Sequence, residues 1–171
     1  MADNENTVAV NPEAAGSEAP QQQFVMQRIY VKDISFEAPQ GAEAFKKQWQ
    51  PAIKQDINTA STKLDEKNHE VVLTLTVTAE IDDETVFLIE IKQAGIFFID
   101  GLEGVQLAQT LGAVCPNILF PYAREAIDSM AVRGSFPPVQ LPPINFDGLF
   151  QQAVAQRAAQ AQAEAQAAPE Q

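Results

Sequence analysis

The sequence predicts an α+β fold in which a four-stranded antiparallel sheet is followed by helices. Stretches rich in β-branched and aromatic residues occupy much of the chain from residue 24 to 93, with turn residues between them. Short turns between consecutive strands favour antiparallel pairing. Further along, two stretches place apolar residues at helical spacing, which predicts a long helix and a C-terminal amphipathic helix.

The first strand is predicted over Phe24–Glu37. Strict alternation gives it apolar residues on both faces, with Ile29 and Val31 on one face and a larger set on the other: Phe24, Met26, Tyr30, Ile34 and Phe36. Both faces are therefore expected to contact something. The connection that follows, residues 38–50, carries Phe45 and Trp49 and is too long for a hairpin turn, so it is expected to cross over the sheet.

Three more strands are predicted over residues 52–64, His69–Glu80 and Val86–Gln93. Turns at Asp65–Asn68 and Asp82–Asp83 separate them and favour an antiparallel meander. The middle strand alternates clearly, so one of its faces is expected to be solvated. Its other face is predicted to be core: Val71, Leu73, Leu75, Val77 and Ala79.

Residues 94–116 are placed after the last strand. They contain glycines and a hydrophobic run, Ile96–Ile99. A short helix is predicted within them because apolar residues recur at helical spacing: Val105, Ala108 and Leu111.

The main helix is predicted over Leu119–Arg133. Pro116 and Pro121 are placed at its opening, where a missing N–H is tolerated, and Gly134 follows its end. Its apolar stripe is broad, and a broad stripe can contact two neighbours.

The C-terminal part begins with residues 135–144, whose prolines predict an extended, stiff loop that can wall a groove. Asn145 is a suitable N-cap for a second helix over residues 146–156. Residues 157–171 are rich in Ala and Gln and are expected to form a disordered or frayed tail. The polar, acidic residues 1–22 are expected to form a disordered arm. Residues 23–156 then make one domain.

The charge and the cysteine content of the chain limit the kinds of partner and the cellular compartment that are expected for it. The chain has 23 acidic against 11 basic residues, and such a field repels phosphate backbones, so nucleic acid is not expected as a partner. Cys115 is the only cysteine, which suits a reducing compartment, and no segment has the apolar length of a signal sequence or a bilayer span. The protein is therefore expected in the cytoplasm, without insertion into a membrane.

Enzymatic constellations are not evident. His69, the only histidine, would have to meet Cys115 to form a catalytic pair, although it opens an exposed strand. Asp82, Asp83 and Glu84 are ordinary turn residues. No glycine-rich phosphate loop occurs. The chain is expected to be no enzyme and to need neither cofactor nor metal.

Two sets of residues remain open to more than one interpretation. Acidic residues on the first and fourth strands are either a solvated edge or a surface for a basic partner. Aromatic residues outside the regular strand positions belong to the core, to an oligomer interface or to a binding groove: Phe45, Trp49, Phe97, Phe98, Phe120, Phe136, Phe146 and Phe150.

Several long segments, in the same order, resemble the SecB family of protein-export chaperones. The resemblance extends over residues 25–150. It is carried by QRIYVKDISFEAP (Gln27–Pro39), EVVL-L-VTA (Glu70–Ala79), GIF-I-G-EG (Gly95–Gly104), CPNILFPYAREAI (Cys115–Ile127), RGSFP (Arg133–Pro137) and NFD-LF (Asn145–Phe150).

The resemblance implies a homotetramer, built as a dimer of dimers, with the helices on one side of each sheet. The main helix would lie between the dimers. The interface residues implied are Leu119, Tyr122, Ala123, Ala126, Ile127 and Met130.

The resemblance also implies two binding surfaces. The motor ATPase SecA, including its basic C-terminal zinc module, would read an acidic sheet surface formed by Asp33, Glu37, Leu88 and Glu90. Unfolded clients would occupy grooves lined by Phe45, Trp49, Ile57, Phe97, Phe136, Leu141, Phe146 and Phe150. Gln55 departs from the apolar residue that relatives tend to carry, which is expected to affect affinity or client range.

The expected function is that of an ATP-independent holdase in the bacterial cytoplasm. It would bind unfolded precursor proteins, keep them competent for translocation and deliver them to SecA. Two alternatives remain at this point: an enzyme or carrier that holds an apolar metabolite in the aromatic cavity, and an adaptor that bridges basic partners without holding clients.

Overall fold

The computed structural model describes residues 22–167, with side chains described as far as Ala163. Its sheet consists of β1 (Gln23–Glu37), β2 (Ala52–Lys63), β3 (Asn68–Ile81) and β4 (Glu84–Asp100). The strand order is β1-β4-β3-β2, and every neighbouring pair is antiparallel. The predicted meander of β2, β3 and β4 is confirmed, and the crossover carries the chain from β1 to the opposite edge.

Strand β3 lies in the middle of the core. The residues of its apolar face are buried, whereas the alternate residues on its other face are only partly buried. Burying a Val or Leu side chain contributes roughly 1.5–3 kcal/mol, so this row is a large part of what holds the sheet to the helices. The predicted core face is confirmed at every position: Val71, Leu73, Leu75, Val77 and Ala79.

Strand β4 is longer than predicted, because it continues past Gln93 to Asp100. The run Ile96–Ile99 is therefore part of the sheet and pairs with the first half of β1. Gly95 marks a close approach rather than a strand end. A Cβ there would lie 2.8 Å from Cε2 of Phe97 and 3.0 Å from Cδ2 of Leu119.

Two bulges in β1 overturn the predicted assignment of its faces. The register with β4 shifts between Met26 and Arg28 and again between Val31 and Asp33. Each bulge adds one residue and so restores the apolar side chains to the same face. As a result, one face of β1, opposite the core residues of β4, carries Phe24, Met26, Ile29, Val31, Ile34 and Phe36.

One continuous helical segment follows the sheet. It consists of α1 (Gly104–Gln109), a π-helical turn (Thr110–Val114) and α2 (Cys115–Arg133). The predicted short helix is confirmed, but α2 begins before Leu119 and Pro121 lies inside it rather than at its opening. Pro121 is exposed, and its missing N–H removes one backbone hydrogen bond on the solvent side of the helix.

Helix α2 packs across β4 and β3, while helix α3 (Phe146–Ala167) is anchored by its first turns. The ring of Phe146 packs edge-on against Phe120. Helix α3 continues beyond the predicted end near residue 156, and its residues 151–163 are all exposed. Residues 1–21 and 168–171, which include all but the last residue of the predicted arm and the end of the predicted tail, lie outside the described residues. No helix within residues 22–167 has the length and apolar character needed to cross a bilayer.

Candidate functional site

An aromatic cluster forms where the crossover meets the helical layer. Phe136, which follows α2, is its centre, with ring centroids 5.1 Å from Phe45, 5.5 Å from Trp49 and 5.2 Å from Phe87. Phe36 of β1 completes the cluster at 6.2 Å from Phe87. Such pairs add to the stabilisation from area burial. We call these five residues the aromatic cluster.

The crossover presents one ring of this cluster to solvent. A short 3-10 helix over Gly41–Lys46 buries Ala44 and turns Phe45 outward, leaving that side chain 56% exposed. Lys47 then forms an ion pair with Glu84 at 2.5 Å, which ties the crossover to the β3–β4 turn. This contact lowers the pKa of the Glu84 carboxyl. The cluster thus combines a buried centre with an exposed apolar rim.

The other predicted groove residues divide by burial. Ile57 and Phe150 are half-buried, whereas three are buried within the chain: Phe97, Leu141 and Phe146. Phe150 lies over the π-helical turn, where a Cβ on Gly112 would be 2.5 Å from its ring. Phe97 stacks on Phe24 at 5.6 Å, at the end of the sheet where β1 begins. In the described chain, therefore, only part of the predicted set offers surface to a ligand.

Gln55 lies on the core-side face of β2, opposite Val77. Its neighbours on that face are Ile53 and Ile57, and Gln55 itself is exposed. Helix α2 packs on β4 and β3, so this face of β2 is left largely uncovered. A polar group here interrupts an otherwise apolar shelf.

The acidic residues predicted for the motor are adjacent on the opposite face of the sheet. Glu37 of β1 pairs with Leu88 of β4, and two residues back along β1 Ser35 pairs with Glu90. Asp33 follows in register with Lys92. Strand register alone therefore brings together the set that we call the acidic patch: Asp33, Glu37, Leu88 and Glu90.

Lys92 also belongs to this surface, although it is not among the predicted residues. Its ammonium lies 3.2 Å from Asp33 and 3.5 Å from Glu90. The hydrogen bond to Asp33 is the main reason why the pKa of Lys92 is raised. The signal was its position on the same strand face as Leu88 and Glu90. Lys92 thus holds the carboxylates of Asp33 and Glu90 in place. With Glu37 the surface has three carboxylates and one ammonium, so it stays negative.

The same outer face carries a polar network further along. The hydroxyl of Tyr30 and the ammonium of Lys32 both donate to the Glu70 carboxylate, the latter at 2.8 Å. These hydrogen bonds lower the pKa of Glu70, Lys32 contributing most, and the bond to Glu70 raises the pKa of Tyr30. The network spans β1 to β3 across β4, so it fastens the edge strand.

The candidate catalytic residues have structural surroundings. Burial raises the pKa of the Cys115 thiol to about 12, so it is protonated near neutrality and is no nucleophile. His69 is buried, contrary to the expectation of an exposed position. Asp82 and Asp83 have φ of 54° and 61°, as in a tight hairpin turn. No cluster of His, Cys, Asp or Glu within the described chain is arranged to hold a metal ion.

The predicted interface residues on α2 also divide by burial. Leu119, Ala123 and Ile127 are fully buried against the sheet of the same chain. Ala126 and Met130 are half-buried, and Tyr122 is half exposed. Only the last three have surface left for a neighbour.

Comparison with known proteins identifies the family. A family model described as preprotein translocase subunit SecB matches residues 17–157. The protein-export protein SecB of Cellvibrio japonicus is 56% identical over 164 residues, covering 96% of this chain and 95% of the relative. The chain belongs to the SecB family. The SecB of Hahella chejuensis is 54% identical over 153 residues, covering 89% of this chain and 96% of the relative.

A solved structure shares the SecB fold. It is a SecB-like chaperone of Mycobacterium tuberculosis in complex with a peptide from an antitoxin, with a TM-score of 0.57. The match covers 71% of this chain and 87% of the other, at 15% identity. This likeness bears on the fold, and the predicted SecB resemblance is confirmed by the family model and the close relatives.

Proposed function

We propose that this SecB-family chain is an ATP-independent holdase of the bacterial cytoplasm. It binds unfolded precursor proteins, keeps them competent for translocation and delivers them to the SecA ATPase. The observation that carries the proposal is the aromatic cluster, in which a buried centre, Phe136, supports the exposed ring of Phe45. An exposed apolar surface of this kind can bind the apolar side chains of an unfolded protein, which are buried once that protein has folded.

Client binding by this cluster does not require recognition of a particular amino-acid sequence in the client. Aromatic rings and the shelf of β2 offer apolar area to any unfolded segment, and the free edge of β2 offers backbone donors and acceptors. The SecB-like neighbour from Mycobacterium tuberculosis was solved with a peptide bound. That complex supports the proposal that this fold accommodates an extended chain.

Self-association completes the proposal. Strand β1 is an edge of the sheet, and four of its core-side residues remain more than a third exposed: Phe24, Met26, Val31 and Ile34. On α2, Tyr122 and Val132 are about half exposed. Apolar patches of this kind mark protein interfaces. We assign them to copies of the same chain in a homotetramer, which places several weak client sites on one particle.

The acidic patch is the proposed contact for SecA. Carboxylates around the apolar Leu88 give a basic partner, such as the zinc module of SecA, both charge steering and a small dry contact. Client and motor surfaces lie on opposite faces of the sheet. One precursor and one motor can then be bound together, which delivery requires.

The test is equilibrium binding of one precursor in its unfolded and folded forms, without nucleotide, together with the mass of the protein in solution. A tetramer that binds only the unfolded form supports the holdase. Equal binding of both forms contradicts it and favours the adaptor. Binding of neither form, with retention of an apolar small molecule, favours the carrier.

A further inference from the structure

The loop between α2 and α3 has few backbone groups by which it can be held. It contains Pro137, Pro138, Pro142 and Pro143, none of which has an N–H to donate. The backbone N–H groups between these two pairs of prolines are those of residues 139–141. A stiff loop of this kind keeps one position only if the remaining donors find acceptors on the body of the protein.

Two of those donors meet a single side chain of α2. The Oδ1 atom of Asp128 accepts hydrogen bonds from the backbone N–H of Val139 at 2.8 Å and of Gln140 at 2.9 Å. One turn earlier on α2, the guanidinium of Arg124 donates to the carbonyl of Leu141 at 3.3 Å. Three consecutive loop residues are thus held by two side chains of one helix.

The geometry of the loop shows why such a clamp is needed. Gln140 has a φ of 55°, a left-handed conformation that a residue with a Cβ adopts only at a cost. The backbone N–H groups of Val139 and Gln140 reach the same oxygen at this turn. Hydrogen bonds to a charged carboxylate are among the stronger ones, so Asp128 offsets the strain.

Asp128 has no competing ion pair among the described residues. Its hydrogen bonds within this part of the chain go to the loop. The loop begins at Phe136, the centre of the aromatic cluster, and Leu141 anchors it further along as a buried residue. Phe136 is itself held by a backbone hydrogen bond to Ala131 at 3.0 Å, so displacement of residues 137–141 would move the wall beside the aromatic cluster and not the centre of the cluster.

We infer that Asp128 is a positioning residue for client binding, which holds the proline-rich wall beside the aromatic cluster in its binding-competent position. This inference rests on the proposed holdase function. Asp128 touches the wall and not the client, so its loss changes how often the wall is correctly placed. Client affinity falls accordingly, while the rest of the fold and the acidic patch are unaffected.

The test compares Asp128→Ala with two matched variants in the full chain. Asp128→Asn keeps an acceptor oxygen, and Glu125→Ala removes a carboxylate from the exposed side of the same helix, where it has no hydrogen bond among the described residues. Amide hydrogen exchange at Val139 and Gln140 reports on the clamp directly. Equilibrium affinity for an unfolded precursor reports on its function.

We expect Asp128→Ala to raise exchange at both amides and to weaken precursor affinity about tenfold, as loss of hydrogen bonds to a charged group implies. Asp128→Asn, which keeps the acceptor oxygen but not the charge, should lose less affinity than Asp128→Ala, and Glu125→Ala should stay within about twofold of the parent protein. Faster exchange in Asp128→Ala with unchanged affinity would overturn the inference, as would an equal loss in Glu125→Ala. If the parent protein itself binds no unfolded precursor, the proposed function fails instead.

Arg124 and Asp128 also line an open groove on the outer side of α2. Because exposed residues of α2 are proposed to contact other copies of the chain, Asp128→Ala can change the oligomeric state and so the mass measured in solution. In that case Val139→Pro is compared with Val139→Ala: the proline removes one donor from the loop, the alanine controls for the lost packing of the Val139 side chain, and both leave α2 intact. The precursor affinity of Val139→Pro must fall below that of Val139→Ala at an unchanged mass. An affinity equal to that of the parent protein contradicts the inference.

Discussion

The two faces of the sheet carry surfaces that are built in different ways. The aromatic cluster draws one or two rings from each of four places in the chain, β1, the crossover, β4 and the loop after α2. The acidic patch needs only two adjacent strands in register. A surface assembled from distant segments depends on packing, and a surface set by strand register does not. The two should therefore respond differently to substitution.

The largest effect is expected from Phe136→Ala. This change empties the centre of the aromatic cluster, and removal of a buried Phe costs about 3–5 kcal/mol because a cavity remains. Urea unfolding should show that loss of unfolding free energy, with weakened client binding. A loss below about 1 kcal/mol would mean that the cluster is not held by packing. The acidic patch should still bind SecA in the fraction that stays folded.

Charge reversal in the acidic patch, by combining Asp33→Lys with Glu90→Lys, is expected to weaken the proposed contact with SecA about tenfold or more at low salt. Client affinity should not change, because those side chains lie on the opposite face. Calorimetric titration with SecA at two salt concentrations measures the effect. Glu66→Lys, an exposed reversal in the β2–β3 turn, is the matched control. Joint loss of both activities would point to misfolding.

Phe45→Ala separates function from stability at the rim of the aromatic cluster. The Phe45 side chain is mostly exposed, so its removal should cost no more than about 1 kcal/mol of unfolding free energy. Precursor affinity should nevertheless fall several-fold. Urea unfolding and precursor titration of the same sample provide both values. A variant with parental affinity would show that clients bind elsewhere on the protein.

The smallest effect is expected from Glu70→Gln on the outer face. The folded-state pKa of Glu70 is lowered by Lys32 and Tyr30, so its contribution to stability is present above the unfolded pKa and is lost as the pH falls through the folded pKa. Lys32 is nearly half exposed, which limits the contribution to less than about 1 kcal/mol. Unfolding curves of parent and variant should differ at pH 7 and converge in acid. A constant difference would exclude this ionisation as the cause.

The sequence predicts β3 and its core face correctly because burial on one side imposes strict alternation. It predicts β1 as a strand but not its faces, because each bulge shifts the alternation by one residue at a site without a distinctive signal. The end of β4 was missed since Gly95, a residue common in turns, here permits close packing of Phe97 and Leu119. Such contacts join residues that are far apart in sequence.

For the binding surfaces, local patterns predict which residues share a face and the SecB resemblance assigns them a partner. Lys92 was missed because its role depends on which residue of β1 lies opposite, and a bulge decides that pairing. The burial of Phe97 and Phe146 likewise follows from tertiary packing, which aromatic content alone does not specify.

The surroundings of Cys115 have a practical consequence. Its sulfur is buried and protonated, so alkylating reagents and thiol-specific spin labels are expected not to react with it in the native protein. A cysteine introduced at Glu43, beside Phe45, or at Ser35, within the acidic patch, would then be the sole reactive thiol, without removal of the native one. Fluorophores attached at those two places would report separately on the proposed client and SecA contacts, on opposite sides of one sheet.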